Sequence, residues 1–80
     1  MFNIGDEVLC TEEYDDNDEI VDASGTIKAY NGVEYLVEFD GDVGGHEGWW
    51  NNEALCEEGT GWWVNPEILE YLYPVSLENE

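Results

Sequence analysis

Apolar and polar residues alternate with a period of two along the clearest stretch of the chain, residues 33–39. The apolar members are Val33, Tyr35, Val37 and Phe39, and the residues between them are Glu34, Leu36 and Glu38. Successive side chains of a β-strand point to opposite faces, so this stretch predicts a strand with one apolar and one mainly acidic face. No segment of the sequence keeps a helical period. The chain is therefore expected to be all-β.

Further short segments with strand character are separated by Gly, Asn and acidic residues. The predicted strands cover residues 7–10, 25–30, 33–39, 61–64 and 69–73. The Asn31-Gly32 pair predicts a type I′ hairpin turn. Asn65 as a cap and Pro66 at the first helical position predict one short helical turn. A short helical or irregular piece is expected at residues 52–56.

Five strands, one helical turn and a long early loop describe a small five-stranded SH3-like barrel. The loop spans residues 11–23, and Ile20 and Val21 are its expected anchors to the core. Residues 1–75 are assigned to a single domain and residues 76–80 to a frayed tail. An 80-residue chain has a small core, which favours a binding module over an enzyme.

A series of short motifs resembles small SH3-like proteins common in phage genomes. In chain order they are Gly5-Asp6-Glu7-Val8, Gly25-Thr26-Ile27, Tyr35-Leu36-Val37-Glu38-Phe39, Gly44-Gly45-His46-Glu47-Gly48, Gly61-Trp62-Trp63-Val64 and Leu69-Glu70. The resemblance implies the barrel fold and a phage origin. Related nucleic-acid-binding barrels carry Lys and Arg, which are almost absent here. The resemblance therefore favours a protein aimed at a host protein.

The charge of the chain is extreme. It contains 21 Asp and Glu residues and one basic residue, Lys28, for a net charge of −20. Such a chain is repelled by nucleic acid and anionic lipid and is steered toward basic surfaces. With 42% hydrophobic residues it is expected to fold. Spread over about 4,900 Å² of surface, the charge is sparser than on duplex DNA, but gathered on one face it approaches the density of DNA.

Two acidic stretches are the candidate partner-binding residues. The first set is Asp15, Asp16, Asp18, Glu19 and Asp22, and the second set is Asp40, Asp42, Glu47, Glu57 and Glu58. Both stretches belong to long loops, which can lie near each other in an SH3-like barrel. A solubilising surface and adaptation to high salt are the alternative interpretations of these acids.

Two tryptophan pairs, at residues 49–50 and 62–63, are the second candidate feature. Because adjacent residues on a strand face opposite sides, only one member of each extended pair can enter the small core. The other must be covered by a loop, a second subunit or a partner. Trp50 and Trp62 are the expected apolar anchors for a partner, and a homodimer that buries exposed tryptophans is the alternative.

The remaining reactive residues give weaker indications. Asp16 and Asp18 are spaced like calcium ligands, but the next ligand position is Ile20. No metal site and no cofactor are therefore expected. His46 either holds its loop through a backbone hydrogen bond or acts as a ligand or base with acidic neighbours. Cys10 and Cys56 are expected to be reduced, with a disulfide as the alternative.

The charge and the resemblance together predict a phage-encoded DNA mimic. It would occupy the basic groove of a host nucleic-acid-binding protein, with a defence nuclease as the expected target, and so act as an anti-CRISPR or anti-restriction inhibitor. No direct contact with nucleic acid, no membrane, no catalysis and a location in the host cytoplasm are expected. The alternative function is an SH3-like adaptor that binds a host protein or peptide through exposed tryptophans.

Overall fold

The computed structural model describes residues 2–72, which form an all-β structure as predicted. The strands are β1 (Glu7–Cys10), β2 (Ser24–Tyr30), β3 (Tyr35–Phe39), β4 (Trp49–Trp50), β5 (Glu53–Ala54), β6 (Gly61–Val64) and β7 (Leu69–Tyr71), with a 3₁₀ turn at Pro66–Ile68. The predicted bounds of the first strand and of the strand at residues 61–64 are confirmed. The helical or irregular piece predicted at residues 52–56 is wrong in part, because β5 lies there.

Five of the strands form one antiparallel sheet, in the order β6-β3-β2-β1-β7. The last strand therefore returns to pair with the first, Leu9 opposite Glu70. Within residues 2–72 the outer strands β6 and β7 share no ladder. The observed sheet is thus not closed into the barrel that the sequence predicts. Strands β4 and β5 form a separate hairpin.

Apolar side chains pack on both faces of this sheet. One face carries the main core, which includes Ile27, Val37 and the partly buried Trp62. The other face carries a smaller cluster around Leu36, against which Trp63 packs. This second cluster is covered by side chains of the β4–β5 hairpin and the residues that follow it. Both faces of the sheet are therefore needed to bury the aromatic residues of β6.

The tight turn predicted at Asn31-Gly32 is wrong. The strand register leaves a four-residue loop, residues 31–34, in which only Gly32 has a positive φ (99°). A type I′ turn needs positive φ at both central residues. The Asn31 Oδ1 instead accepts two backbone N–H groups of the loop, at 2.8 and 2.7 Å. Positive φ at two successive residues occurs at Asn51 (53°) and Asn52 (66°), which join β4 to β5.

The short turn before β7 forms as predicted. The Asn65 side chain caps it by accepting the N–H of Glu67 at 2.8 Å, and Pro66 occupies the first turn. Residues 73–80 lie outside the described range, and with them the end of the predicted last strand, the domain boundary at residue 75 and the tail at 76–80. Residues 2–72 include no helix long and apolar enough to cross a membrane.

Candidate functional site

Residues 11–23, named here the first acidic loop, begin with a tight reversal of the chain. The backbones of Tyr14 and Asn17 exchange two hydrogen bonds, at 3.4 and 3.1 Å. Between them Asp15 and Asp16 have φ values of 58° and 64°. Asp is one of the few residues that tolerates this left-handed conformation. The turn presents two adjacent carboxylates at its exposed tip.

Two contacts hold the first acidic loop against the sheet. Ile20 is fully buried in the main core, as predicted. Val21 is 38% exposed, so its predicted role as an anchor is wrong. The backbone carbonyl of Tyr14 accepts the indole N–H of Trp62 at 3.0 Å. The loop is therefore anchored by one aliphatic side chain and by backbone groups, which leaves its acids free to face solvent.

The Tyr14 side chain links the first acidic loop to the β2–β3 loop. Its hydroxyl donates to Glu34 Oε2 at 2.6 Å. This hydrogen bond raises the pKa of the Tyr14 phenol, because ionising it would place two negative charges side by side. Glu34 is absent from the residues predicted as the site, and the alternating pattern marks it only as an outward strand position. The hydrogen bond between Tyr14 and Glu34 depends on how the first acidic loop folds onto the sheet, which the sequence pattern does not show.

Residues 40–48, named here the second acidic loop, meet the first. The buried Asn17 amide donates to the carbonyl of Val43 at 3.0 Å. Glu19 Oε2 lies close to Gly44, 3.1 Å from the position that a Cβ atom would take on this glycine. Asp42 Oδ1 accepts the Gly44 N–H at 2.7 Å. Glu19 of the first set and Asp42 of the second therefore lie on either side of one glycine.

The turn at residues 57–60 continues this arrangement. It is closed by hydrogen bonds from the Thr60 backbone and hydroxyl to the Glu57 carbonyl, at 3.0 and 2.7 Å. A methyl group on Gly59 would lie 2.8 Å from Asp42 Oδ2. The turn therefore holds Gly59, which follows the exposed Glu57 and Glu58 in the sequence, against Asp42.

Asp40 is hydrogen-bonded to Ser24 at the start of β2. Asp40 Oδ2 accepts the Ser24 hydroxyl at 2.6 Å, and its backbone N–H donates to the Ser24 carbonyl. Asp22 lies two residues before Ser24. Glu19 and Asp42, one from each predicted set, are thus brought together, and the exposed acids on the three segments that meet around them are named here the acidic surface. Its members, all exposed, are Asp15, Asp16, Asp18, Glu19, Asp22, Asp40, Asp42, Glu57 and Glu58.

Glu47 differs from the rest of its predicted set. It is half-buried, and its Oε1 accepts the indole N–H of Trp49 at 2.9 Å. It lies at the end of the second acidic loop and is bonded to the first residue of the β4–β5 hairpin, so it is not counted in the acidic surface. Lys28 pairs with Glu38 at 3.5 Å, so the one basic side chain of the sequence is already next to a carboxylate.

Trp50 and Trp62, the expected apolar anchors for a partner, lie on opposite faces of the sheet. Both are half-buried. Trp62 packs against the main core, whereas Trp50 packs against the opposite cluster with its ring centroid 5.5 Å from that of Trp63. The exposed tryptophan is Trp49, at 61%. The sequence shows that one member of the pair must face outward, but the choice depends on which face of the hairpin meets the sheet.

His46 holds its loop through the backbone, as one of its two interpretations predicts. Its Nδ1 accepts the Gly48 N–H at 3.0 Å, and its ring stacks on Trp62 with centroids 5.5 Å apart. Within residues 2–72 no three His, Cys, Asp or Glu side chains are placed to hold a metal ion, and no pocket is present. Cys10 and Cys56 are free and buried.

Comparison of the chain with models of protein families, with curated proteins and with solved structures finds no match. Its function is therefore argued from the acidic surface and the residues around it.

Proposed function

We propose that this domain is a phage-encoded DNA mimic without catalytic activity. It occupies the basic nucleic-acid-binding groove of a host protein, most simply a defence nuclease, and acts as an anti-CRISPR or anti-restriction inhibitor in the host cytoplasm. The observation that carries the proposal is the junction of the two acidic loops at Asn17, Gly44 and Gly59. Three separate segments that carry carboxylates meet at this junction, and Glu19 and Asp42 lie beside it.

A groove that binds DNA presents Arg and Lys to backbone phosphates. Carboxylates can take the place of those phosphates, and an Arg guanidinium binds a carboxylate through two parallel hydrogen bonds. Occupied by the acidic surface, the groove is closed to its nucleic acid. Attraction between the two surfaces is strong at low salt and falls as ions screen it.

The proposal includes an SH3-like barrel as the scaffold. Three features support it: a long loop joins β1 to β2, the 3₁₀ turn precedes β7, and β7 returns to pair with β1. The Thr11 N–H and hydroxyl both donate to the Ile68 carbonyl, at 2.9 and 3.2 Å, which ties the turn to the end of β1. An experimental structure in which the sheet stays open around this turn would contradict the barrel.

The test of DNA mimicry compares two variants with the same change in net charge. The first replaces Asp15, Asp16 and Asp18 by Asn, which keeps the shape of the turn because Asn tolerates the left-handed conformation. The control replaces three exposed acids outside the acidic surface by Gln; they are Glu7, Glu67 and Glu70.

Both variants are used to capture partners from host lysate at low salt, with elution by a salt gradient and competition by duplex DNA. We expect the wild type and the control to retain a partner that DNA displaces, and the first variant to bind it at least about tenfold more weakly, since each lost charge-assisted bond is worth about 1.5–3 kcal/mol. Equal binding of the partner by the two variants would contradict mimicry. A partner that duplex DNA does not displace would also contradict it.

A second function, an SH3-like adaptor for a host protein or peptide, is favoured by one observation. Trp49 exposes 61% of its surface, and exposed tryptophans are frequent hot spots of protein interfaces. An adaptor of this kind would lose its partner on Trp49→Ala, bind with little dependence on salt and be unaffected by duplex DNA. The same capture experiment therefore separates the two functions.

A further inference from the structure

Trp49 and Glu47 form a pair of unusual composition on the β4–β5 hairpin. The indole N–H of Trp49 donates to Glu47 Oε1 at 2.9 Å. Gly48 lies between them with φ at 65°, which turns the chain so that the two side chains meet. Within residues 2–72 no other hydrogen bond reaches the Glu47 carboxylate. An aromatic ring and a carboxylate with a free oxygen therefore stand side by side at the surface.

Most of the Trp49 residue is exposed. Its partner across the hairpin is Ala54, which offers only a methyl group, and Trp49 is 61% exposed. The hairpin itself is fixed, because Trp50 packs on Trp63 and Leu55 joins the same cluster. Trp49 is thus held in place before any partner arrives, so little conformational entropy is lost when one binds.

We infer that Trp49 and Glu47 bind an arginine side chain of the partner. A guanidinium is planar and can stack on the indole ring while it donates hydrogen bonds to the carboxylate, and an ammonium cannot do both in this way. The net charge of −20 makes a basic partner the complementary one. The inference rests on the proposed function, to which it adds an arginine-specific contact outside the acidic surface.

The test measures binding of two labelled peptides, hexa-arginine and hexa-lysine, at low salt. The acidic surface attracts both, whereas the Trp49 site favours arginine. We expect the preference for hexa-arginine to fall about two- to fivefold in Trp49→Leu, the range that corresponds to a cation–π contact at an exposed site. Glu47→Gln should reduce the preference in the same direction.

Two variants serve as controls. Val33→Ala shortens an apolar side chain that is 72% exposed in the β2–β3 loop, and Glu67→Gln removes one exposed charge from the 3₁₀ turn. Both should keep the preference of the wild type. In addition, the Trp49 indole N–H signal of the wild-type protein is followed by NMR during each titration. It should shift at lower concentrations of hexa-arginine than of hexa-lysine.

An unchanged preference in Trp49→Leu, no preference or no binding in the wild type, or an indole signal that does not move would overturn the arginine site. If the wild type binds both peptides equally while duplex DNA still displaces its partner, only the arginine site is wrong. If the preference for hexa-arginine depends on Trp49 but duplex DNA does not displace the captured partner, the arginine site is supported and DNA mimicry is wrong. If Trp49→Leu fails to fold, the NMR titration of the wild-type protein still tests whether arginine binds at Trp49.

Discussion

Individual carboxylates of this protein have different tasks although they carry the same charge. Glu34 and Glu47 each accept a hydrogen bond from an aromatic side chain, and Asp42 accepts one from the backbone of its own loop. Four acids of the first acidic loop have no such task. Within residues 2–72 no hydrogen bond reaches the side chains of Asp15, Asp16, Asp18 and Asp22. Neutralising these four should therefore change partner binding far more than folding.

The thiol of Cys56 is buried, which changes its reactivity. Burial raises its pKa from 9.0 to about 11. Because the thiolate is the reactive form, we expect iodoacetamide at pH 8 to modify Cys56 about 100 times more slowly in the folded protein than in urea. Mass spectrometry of quenched samples measures both rates. Equal rates would show that the thiol is not shielded.

The sign of the pH dependence follows from the same shift. The folded state favours the neutral Cys56 thiol, so the resulting stabilisation is complete below pH 9 and is lost as the pH rises toward 11. In Cys56→Ala the free energy of unfolding should fall less between these two pH values than in the wild type. Urea denaturation at each pH measures the difference.

At the scale of elements, the site depends on how two loops are joined. The link is Asn17, 7% exposed, which donates to Val43 and accepts the Glu19 N–H at 2.9 Å. A buried amide with both ends bonded fixes the distance between the loops. The positions of Glu19 and Asp42 therefore depend on a neutral residue.

Asn17→Ala should lower the free energy of unfolding by about 1–3 kcal/mol, because it leaves the Val43 carbonyl and the Glu19 N–H without their partner. Asn3→Ala, an exposed position, is the control and should stay within about 0.5 kcal/mol of the wild type. Urea denaturation measures both. A cost as small as that of the control would mean that the loops meet without this link.

Several of the strands and turns can be predicted from the sequence. The strand ends at residues 7–10 and 61–64 and the turn capped by Asn65 follow from local patterns. The nearness of the two acidic loops is expected only from the SH3-like barrel, in which long loops can lie near each other, and not from any local pattern. The turn at Asn31-Gly32 departs from its prediction because the pairing of β2 with β3 overrides the preference of two residues. The exposure of Trp49 depends on tertiary packing of the hairpin, which no local pattern records.

At the scale of the whole molecule, folding and binding respond oppositely to charge. The folded state brings like charges together in the acidic surface, which opposes compactness. A basic partner relieves the same repulsion. Conditions that weaken electrostatic interactions should therefore strengthen the fold and weaken the complex.

Raising NaCl from about 20 mM to about 500 mM shortens the screening length several-fold. We expect the melting temperature to rise by about 5 °C, which corresponds to about 1 kcal/mol for a domain of this size, while the affinity for the captured partner falls. Calorimetry and the salt-gradient elution measure the two effects. A melting temperature that falls with salt would contradict the account of self-repulsion.

The turn at Asp15 and Asp16 has a consequence for engineering. Asn-Gly is the pair that best suits a turn with two positive φ values, yet this chain has two aspartates there. The double substitution Asp15→Asn with Asp16→Gly should raise the melting temperature and weaken capture of the partner. Selection for thermostability alone would then erode partner binding, so a screen for improved variants needs to score both properties at once.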